Sequence, residues 1–391
     1  MDAISMKDVK GLIHAGTGPR VSIYAPMQEK GIHVRQNRIQ YKTLLTRARK
    51  ELEKRNISTG NADGYLSKAA ERLDDTLFWE HQGKGLAVFL AENVYREYRL
   101  PRPFQPDVIA GDSFYVTPLI PLCQENICFY ILSLNQGKVR LFKATPWSIR
   151  EEKVPGMPQD ISEVLQFDNP EENIQWHTGS PGRSGNKRPP LFHGHGSGFD
   201  ESDKRTLRFV HQVNKAVHQH LNPANAPMVV AAVESVVPIY ENVNTYPHLM
   251  DTAITRNPED IPPNNLLAQA LTIVQPYFDR SRKQKLLEYG NLSSRPGKTA
   301  SKPEEVVAAA IDGQIDTLFL AENQHLWGQV QSEPSSRVLI HQTRKDEEEE
   351  LLNLSAIHTL NSDGTVYIIK EREMPSDSSV AAIFRYPAVH A

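Results

Sequence analysis

Residues 177–198, HTGSPGRSGNKRPPLFHGHGSG, set the strongest limit on what this chain can fold into. The stretch holds six glycines, three prolines, three histidines, Arg183, Lys187 and Arg188, and no carboxylate. Such a segment cannot bury enough apolar surface to hold one conformation alone. Loops of this length inside compact domains are uncommon and are usually either functional or disordered. The sequence then turns regular: Asp200 or Ser202 can cap a helix whose Leu207, Val210, Val213, Ala216, Val217 and Leu221 recur at helical spacing. A cationic, glycine-tipped loop is therefore expected at the N-terminal end of a helix. Glycines let backbone N–H groups approach a phosphate, and the helix start adds partial positive charge. With Arg183, Lys187, Arg188, Lys204, Arg205 and Arg208 nearby, the natural target is a polyanion. The plainer alternative is a surface insertion without a partner.

At 391 residues the chain exceeds one ordinary core, which predicts roughly two to four domains. Hydrophobic content of 39% and charged content of 23% are globular values. A formal net charge of −3 argues against an all-over basic nucleic-acid binder, so any polyanion site must be local. The apolar runs fall short of the ~20 residues that a membrane span needs. The opening MDAISMKDVKGLIHAG places charges where a secretory leader wants an unbroken apolar core. Two cysteines, Cys123 and Cys128, make no disulfide framework, and a cytoplasmic setting is the expectation.

The first unit begins with RVSIYA, Arg20 to Ala25, read as a buried strand, followed by a helix from Arg35 to Arg55. On that helix Tyr41, Leu44, Leu45, Ala48 and Leu52 form one stripe, and eight cations face two carboxylates, Glu51 and Glu53. Charge runs on helices are usually solvated faces, but beside the basic loop this one becomes a second candidate phosphate surface. A helix over Ala62–His81 and a hairpin, GLAVFLA and VYREYRL about Glu92-Asn93, complete a unit spanning 1–118. The second unit, 119–258, opens with the hairpin CFYILSLN and KVRLFKA about Gln136-Gly137. It continues with the long loop and its helix, the doubly buried strand PMVVAAV, and a helix over VPIYENVNTYPHLM. The third, 259–391, alternates helices and strands: Asn264–Tyr277, a polar helix through Tyr289, EEVVAAAIDG behind the capping-box pattern Ser301-Lys302-Pro303-Glu304, IDTLFLA, DEEEELLNLSAIHTL, TVYIIK and VAAIFRY. The fold class is therefore α/β, as three α/β domains in series.

Several motifs fail their chemical tests. Pro296-Gly297-Lys298-Thr299 resembles the end of a P-loop, but Leu292 stands where the first glycine belongs and a helix precedes it. His193 and His195 lack a carboxylate or cysteine partner at fixed spacing, so no metal is assigned. Ser197 lies between Gly196 and Gly198, but His195 replaces the first glycine of a nucleophile elbow. Cys123 and Cys128 read as structural thiols. Trp176 at the loop root reads as a core anchor ahead of a base-stacking platform.

Taken in order, RVSIYAP with its basic helix, KVRLFKA, LFHGHGSG ahead of LRFVHQV, PMVVAAVESVVPIY, GQIDTLFLA and VAAIFRYP resemble the bacterial branch of the archaeal and eukaryotic release-factor superfamily. Within it the likeness is to the Balon-like ribosome hibernation factors, and it extends over nearly the whole chain. That resemblance implies three α/β domains in the ribosomal A site: the first at the decoding centre, the middle one reaching the peptidyl-transferase centre, and the third meeting a translational GTPase, EF-Tu in bacteria. The 177–198 loop would match the one that carries Gly-Gly-Gln in hydrolytic factors. Here Gly-Gly-Gln occurs nowhere, and Gly196-Ser197-Gly198 stands instead. The resemblance thus implies ribosome binding without peptide release, a protein that is not an enzyme and needs no cofactor. It would be a monomer off the ribosome, with no membrane partner.

The RNA-contacting residues it implies are His193, Gly194, His195, Gly196, Ser197 and Gly198 at the tip, with Arg183, Lys187 and Arg188 as phosphate contacts. Arg35, Arg38 and Lys42 serve in the first domain. Two rivals remain. One is a hydrolase, either a peptidyl-tRNA hydrolase or rescue enzyme using Ser197 and a loop histidine, or a nuclease on the middle domain, for which Asp200, Glu201 and Asp203 are the nearby carboxylates. The other is a scaffold that binds a protein through Asp346–Glu350.

Overall fold

The computed structural model describes residues 2, 4–29, 34–124, 128–168, 197–332, 336–341, 345 and 348–387. Its contacts divide the chain into two compact units: Met1–Asn126 together with Arg280–Ala391, and Ile127–Asp279. Each unit is mixed α/β.

In the first unit the chain runs α1 (Met6–Ile13), β1 (Arg20–Pro26), α2 (Val34–Glu53), α3 (Thr59–Glu71), α4 (Thr76–Glu80), β2 (Gly85–Ala91), β3 (Val94–Leu100), β4 (Asp107–Gly111) and α5 (Ile120–Gln124). The strands form an antiparallel sheet in the order β3-β2-β1-β4. Because side chains alternate along a strand, Val21, Ile23 and Ala25 face α2 while Ser22 and Tyr24 face the other way. The α2 stripe of Tyr41, Leu44, Leu45, Ala48 and Leu52 packs with the first set, together with Leu86, Val88, Leu90, Val108 and Ala110. On the opposite face Tyr24, Phe89, Phe114 and Tyr115 make edge-on aromatic pairs. Both faces are therefore covered, and every residue of β2 is buried.

The helix expected over Ala62–His81 breaks in two. Asp75 accepts the Phe78 amide at 3.0 Å and starts α4 as a new N-cap. The segment Phe114–Leu122 is mostly buried, and its backbone is bonded to the C-terminal part of the same unit.

The second unit contains β5 (Phe129–Asn135), β6 (Lys138–Thr145), β7 (Ser148–Glu152), α6 (Ile161–Asp168), α7 (Ser197–Leu221), β8 (Met228–Ala232), α8 (Val237–Val243), β9 (Ile254–Thr255) and the first half of α9 (Pro263–Leu292). Strand order is β7-β6-β5-β8-β9, antiparallel through the first three and parallel through the last three. Again both faces are covered. Leu132, Leu134, Leu141, Met228 and Val230 pack on α7 and α8 through Phe209, Val210, Val213, Val217 and Tyr240. Phe129, Ile131, Phe142, Val229 and Ala231 pack on Leu266, Leu267, Ala270 and Val274.

This second apolar face moves the boundary expected at 258 on to Asp279. The start of α9 supplies one wall of this core, so it cannot open a separate domain. The helix expected over Val237–Met250 ends at Val243. Asn244 accepts the Tyr246 amide in an Asx turn, and Met228 then exchanges backbone hydrogen bonds with His248 and Met250.

The first unit resumes with the second half of α9, β10 (Thr299–Ala300), α10 (Pro303–Ile311), β11 (Ile315–Ala321), β12 (Trp327–Ser332), β13 (Ser336–His341), β14 (Glu349–Glu350), α11 (Leu351–Asn361), β15 (Thr365–Ile369) and β16 (Val380–Phe384). The main sheet runs β10-β16-β11-β15, and a smaller one runs β13-β12-β14. Tyr289 of α9 packs on one face of the main sheet with Phe319, Ile369, Ala381 and Ile383.

Two expectations fail here. Lys302 is the N-cap of α10 and makes no side-chain capping bond, although Pro303 does occupy the first helical position. The acidic run does not enter α11. Glu349 and Glu350 form β14, and Glu350 becomes the cap, accepting the amides of Asn353 at 2.6 Å and Leu326 at 2.9 Å.

Candidate nucleic-acid interface

Of the residues expected at the loop tip, Arg183, Lys187, Arg188, His193, Gly194, His195 and Gly196 lie outside the described residues. Ser197 and Gly198 are not in a loop. They form the first turn of α7, which begins three residues ahead of the expected Asp200. The loop therefore joins the helix one turn earlier, and Asp200, Glu201 and Asp203 sit inside it, where acids suit the positive end of the dipole.

The body of α7 is ordered by its buried side. Thr206, Phe209, Val210, Val213, Asn214, Ala216, Val217 and Leu221 are buried, and Asn214 fixes α7 to the chain after α8 by bonding the Val243 carbonyl at 2.9 Å and the Thr245 hydroxyl at 3.1 Å. The opposite side, Lys204, Arg205, Arg208, His211, Gln212, Lys215 and Gln219, is exposed. His218 bonds Thr245 at 2.8 Å, closing one side of a depression of about 490 Å³ that His211, Lys215 and Val243 also line.

The second candidate surface, α2, differs. Arg35 is the second residue of the helix, and Arg38 and Lys42 lie one turn apart on its exposed side. Neighbouring elements bring carboxylates to three of its cations, and its own Glu51 pairs with Lys54 just past its end. Arg38 pairs with Asp74 at 2.9 Å, Arg47 with Asp107 at 3.3 Å, Arg49 with Asp63, and Lys54 with Glu51 at 3.0 Å. Just beyond its C-terminus Arg55, whose side chain is only 10% exposed, bonds Asp112 at 2.8 Å and the Glu348 carbonyl at 3.3 Å. The ammonium groups of Lys42 and Lys50 make no hydrogen bond or ion pair among the described residues. The excess of positive charge counted along the sequence is thus largely neutralised in space.

Of the carboxylates that achieve this, Asp63, Asp74 and Asp112 are exposed and only Asp107 is largely buried. Burial alone would raise Asp107, but a hydrogen bond from His325 and the charges of His325 and Arg47 outweigh it and hold the carboxyl below its usual range. Burial pushes Glu350 up to about 7, against the pull of its backbone amide donors and His325. Asn353, also buried, accepts the Val116 amide at 2.8 Å and the Thr117 hydroxyl at 3.0 Å, and donates to the Phe114 carbonyl at 3.0 Å.

Neither cysteine is poised to react: burial pushes the Cys123 thiol up to about 12 and raises Cys128 as well. Among the described residues no three histidine, cysteine or carboxylate side chains gather as a metal site. No helix among them is long and apolar enough to cross a membrane.

Residues 129–276 match the model of bacterial archaeo-eukaryotic release factor family 7. The match runs from the first residue of β5 into α9, within a few residues of the 127–279 unit that the packing defines. The match covers 148 of the 391 residues, so the similarity to this family is that of the second unit. No curated protein matches the sequence. Among solved structures it is similar to the archaeal translation termination factor aRF1, at 14% identity over 98% of this chain and 99% of that one, with a TM-score of 0.26. It is similar to Dom34 of S. cerevisiae, described as a translation termination-like factor interacting with Hbs1, at 15% identity over 76% and 74%, TM-score 0.36. A third likeness is to archaeal Pelota in a ribosome-bound assembly with ABCE1, at 11% identity over 100% and 96%, TM-score 0.36. Likenesses at these values give no residue correspondences.

Sequence reasoning missed the run of α7 beyond Arg208. Its signal was available: from Lys204 to Leu221 the sequence contains no carboxylate.

Proposed function

We propose that this protein is a ribosome-binding translation factor that occupies the A site of idle ribosomes through basic surface on its middle unit, and that it does not release peptide. The reading rests on one observation. The segment matching a release-factor family carries its cationic loop and helix, yet the sequence has Gly196-Ser197-Gly198 and no Gly-Gly-Gln. A serine hydroxyl lacks the reach of the glutamine amide that positions water on the peptidyl ester in hydrolytic members. Similar solved structures include a ribosome-bound archaeal Pelota, and contact with RNA is what lysine and arginine in and beside a glycine-rich loop are suited to. On this reading the protein is cytoplasmic, needs no cofactor and is monomeric away from its target, and a translational GTPase of the EF-Tu kind is the candidate carrier.

The test pairs two assays on vacant and on programmed ribosomes. The protein should pellet with vacant ribosomes and dissociate steeply as salt rises. It should leave the peptidyl ester of a programmed complex intact. Release of peptide that Ser197→Ala abolishes would replace this reading with the hydrolase one.

A further inference from the structure

We propose that the contact between residues 107–117 and 322–353 is a proton-operated clasp, which holds the start of the chain to its C-terminal part in mildly acidic solution and loosens in alkaline solution. Both segments belong to the first unit. The contact centres on one acidic run, Glu348, Glu349 and Glu350. Glu349 accepts the Asp112 amide at 3.0 Å and lies 3.5 Å from the Arg55 guanidinium. Glu350 acts through α11. Its buried carboxyl accepts the Asn353 amide at 2.6 Å and the Leu326 amide at 2.9 Å. Asn353 in turn accepts the Val116 amide at 2.8 Å and donates to the Phe114 carbonyl at 3.0 Å. Whatever shifts the Glu350 carboxyl therefore shifts the side chain that grips 114–117. Alongside, His325 lies 3.4 Å from Asp107, which Arg47 meets at 3.3 Å, and its ring stacks on Trp327. Glu348, whose side chain has no exposed surface, lies 2.5 Å from His341, and Glu322 pairs with Arg102.

These groups respond to protons in one direction. Burial pushes Glu350 up to about 7, against its amide donors and His325. Burial also raises Glu349, and the charge of Asp112 adds to the rise while the Asp112 amide and Arg55 oppose it. Each imidazole becomes a charge-assisted partner, His325 of Asp107 and His341 of Glu348, only when it carries a proton. Tyr115, the other titratable side chain facing Glu350, is held neutral because burial drives its hydroxyl well above the ordinary value. A carboxyl raised in the closed state contributes stability that is complete below its ordinary value of 4.5 and is lost as pH rises through 7. Asp107, held low, contributes in the opposite sense and weakens only at the acid end. Between these limits the clasp tightens as protons are added. Above them an ionised Glu350 is a buried charge met by amide dipoles, and opening to water relieves it. Opening of this kind can be local and leave the rest of a unit folded.

The test is hydrogen exchange read by mass spectrometry on the whole protein at pH 6 and pH 8, with each rate divided by the intrinsic chemical rate at that pH. A carboxyl that titrates at about 7 when closed and at about 4.5 when open makes opening roughly tenfold more frequent between those two conditions. Protection of 107–117 and 348–353 should therefore fall roughly tenfold, while the amides of β1 and β2 change by less than about twofold. In Glu350→Gln the seam should hold the same protection at both values. Unchanged protection of the seam in the wild type would overturn the proposal. An equal loss in β1 and β2 would do so as well, since it would mark general destabilisation, and so would a tenfold loss that persists in Glu350→Gln. A second reading leaves Glu350 in place, so it decides the matter even where that variant fails to fold. Trp327 stacks on His325 with ring centroids 5.7 Å apart, so the emission of the wild type minus that of Trp327→Phe should shift between pH 6 and pH 8. A difference spectrum that stays constant would count equally against the clasp. Neither reading involves a ribosome, so each succeeds or fails independently of the proposed function.

Discussion

The two basic helices of this protein look alike in sequence and differ in space. Residues 35–55 hold eight cations against two carboxylates, yet Asp63, Asp74, Asp107 and Asp112 arrive from other elements to pair with four of those cations. The stretch 204–221 holds fewer lysines and arginines, but no carboxylate lies within it. Charge counted along a helix measures what the chain spends there, whereas the field a partner meets depends on what folding brings alongside. By that measure α2 is mainly a structural helix of the first unit.

The largest effect that can break this contrast is charge reversal. Arg183→Glu/Lys187→Glu/Arg188→Glu in the loop should lower ribosome affinity at low salt by about two orders of magnitude, read by pelleting, and Arg49→Gln on α2, a cation already paired with Asp63, should lower it less than about threefold. Equal losses would erase the distinction.

Next comes pH, acting on the seam beside α2. Glu350 rises from an ordinary 4.5 to about 7 in the folded chain. The folded state therefore holds a proton that the unfolded state gives up between these values. The stability it contributes is full below about 4.5 and is lost as pH rises towards 7, to an upper bound of roughly 3 kcal/mol. Asp107, lowered in the folded state, acts in the opposite sense at the acid end, where its contribution is lost as pH falls. Urea unfolding of wild type and Glu350→Gln should show the wild-type slope between pH 5 and 7 flattened in the variant. Parallel profiles would remove Glu350 as the cause.

Truncating Arg55 separates structural from surface cations. Its loss strands Glu349, whose side chain is 20% exposed, and breaks the bond to the Glu348 carbonyl. Arg55→Ala should therefore cost about 1–3 kcal/mol. Lys215→Ala should stay within about 0.5 kcal/mol in the same urea titration. The smallest effect sharpens the contrast from the other side. Asp74→Asn frees Arg38 from an exposed pair that contributes under about 1 kcal/mol, so stability should scarcely move while α2 gains about twofold in RNA affinity.

Much of this architecture is written in local pattern. GLAVFLA, CFYILSLN, PMVVAAV and IDTLFLA each read as strands because an unbroken or alternating apolar run needs no knowledge of its partner, and all four are strands. The α2 stripe was legible for the same reason. What stayed hidden depends on residues distant in sequence. Arg55 reaches the carbonyl of Glu348, 293 positions away, so neither the neutralisation of α2 nor the union of the first and last segments in one unit could be read from either segment alone. The acidic run 348–350 read as a helix start because acids favour helix N-termini, whereas burial turned Glu350 into a cap and its neighbour into a strand residue. The α7 face was legible in principle as a gap in the carboxylates, but the apolar spacing of the same helix drew attention to its core side.

The most direct measurement is pelleting of the protein with vacant ribosomes in the presence and absence of a tRNA bound in the A site. Occupancy of that site by the middle unit predicts stoichiometric binding to vacant particles, lost when the tRNA is in place and lost with rising salt. Binding that tRNA leaves untouched, or no binding to either subunit or the assembled particle at low ionic strength, would contradict it.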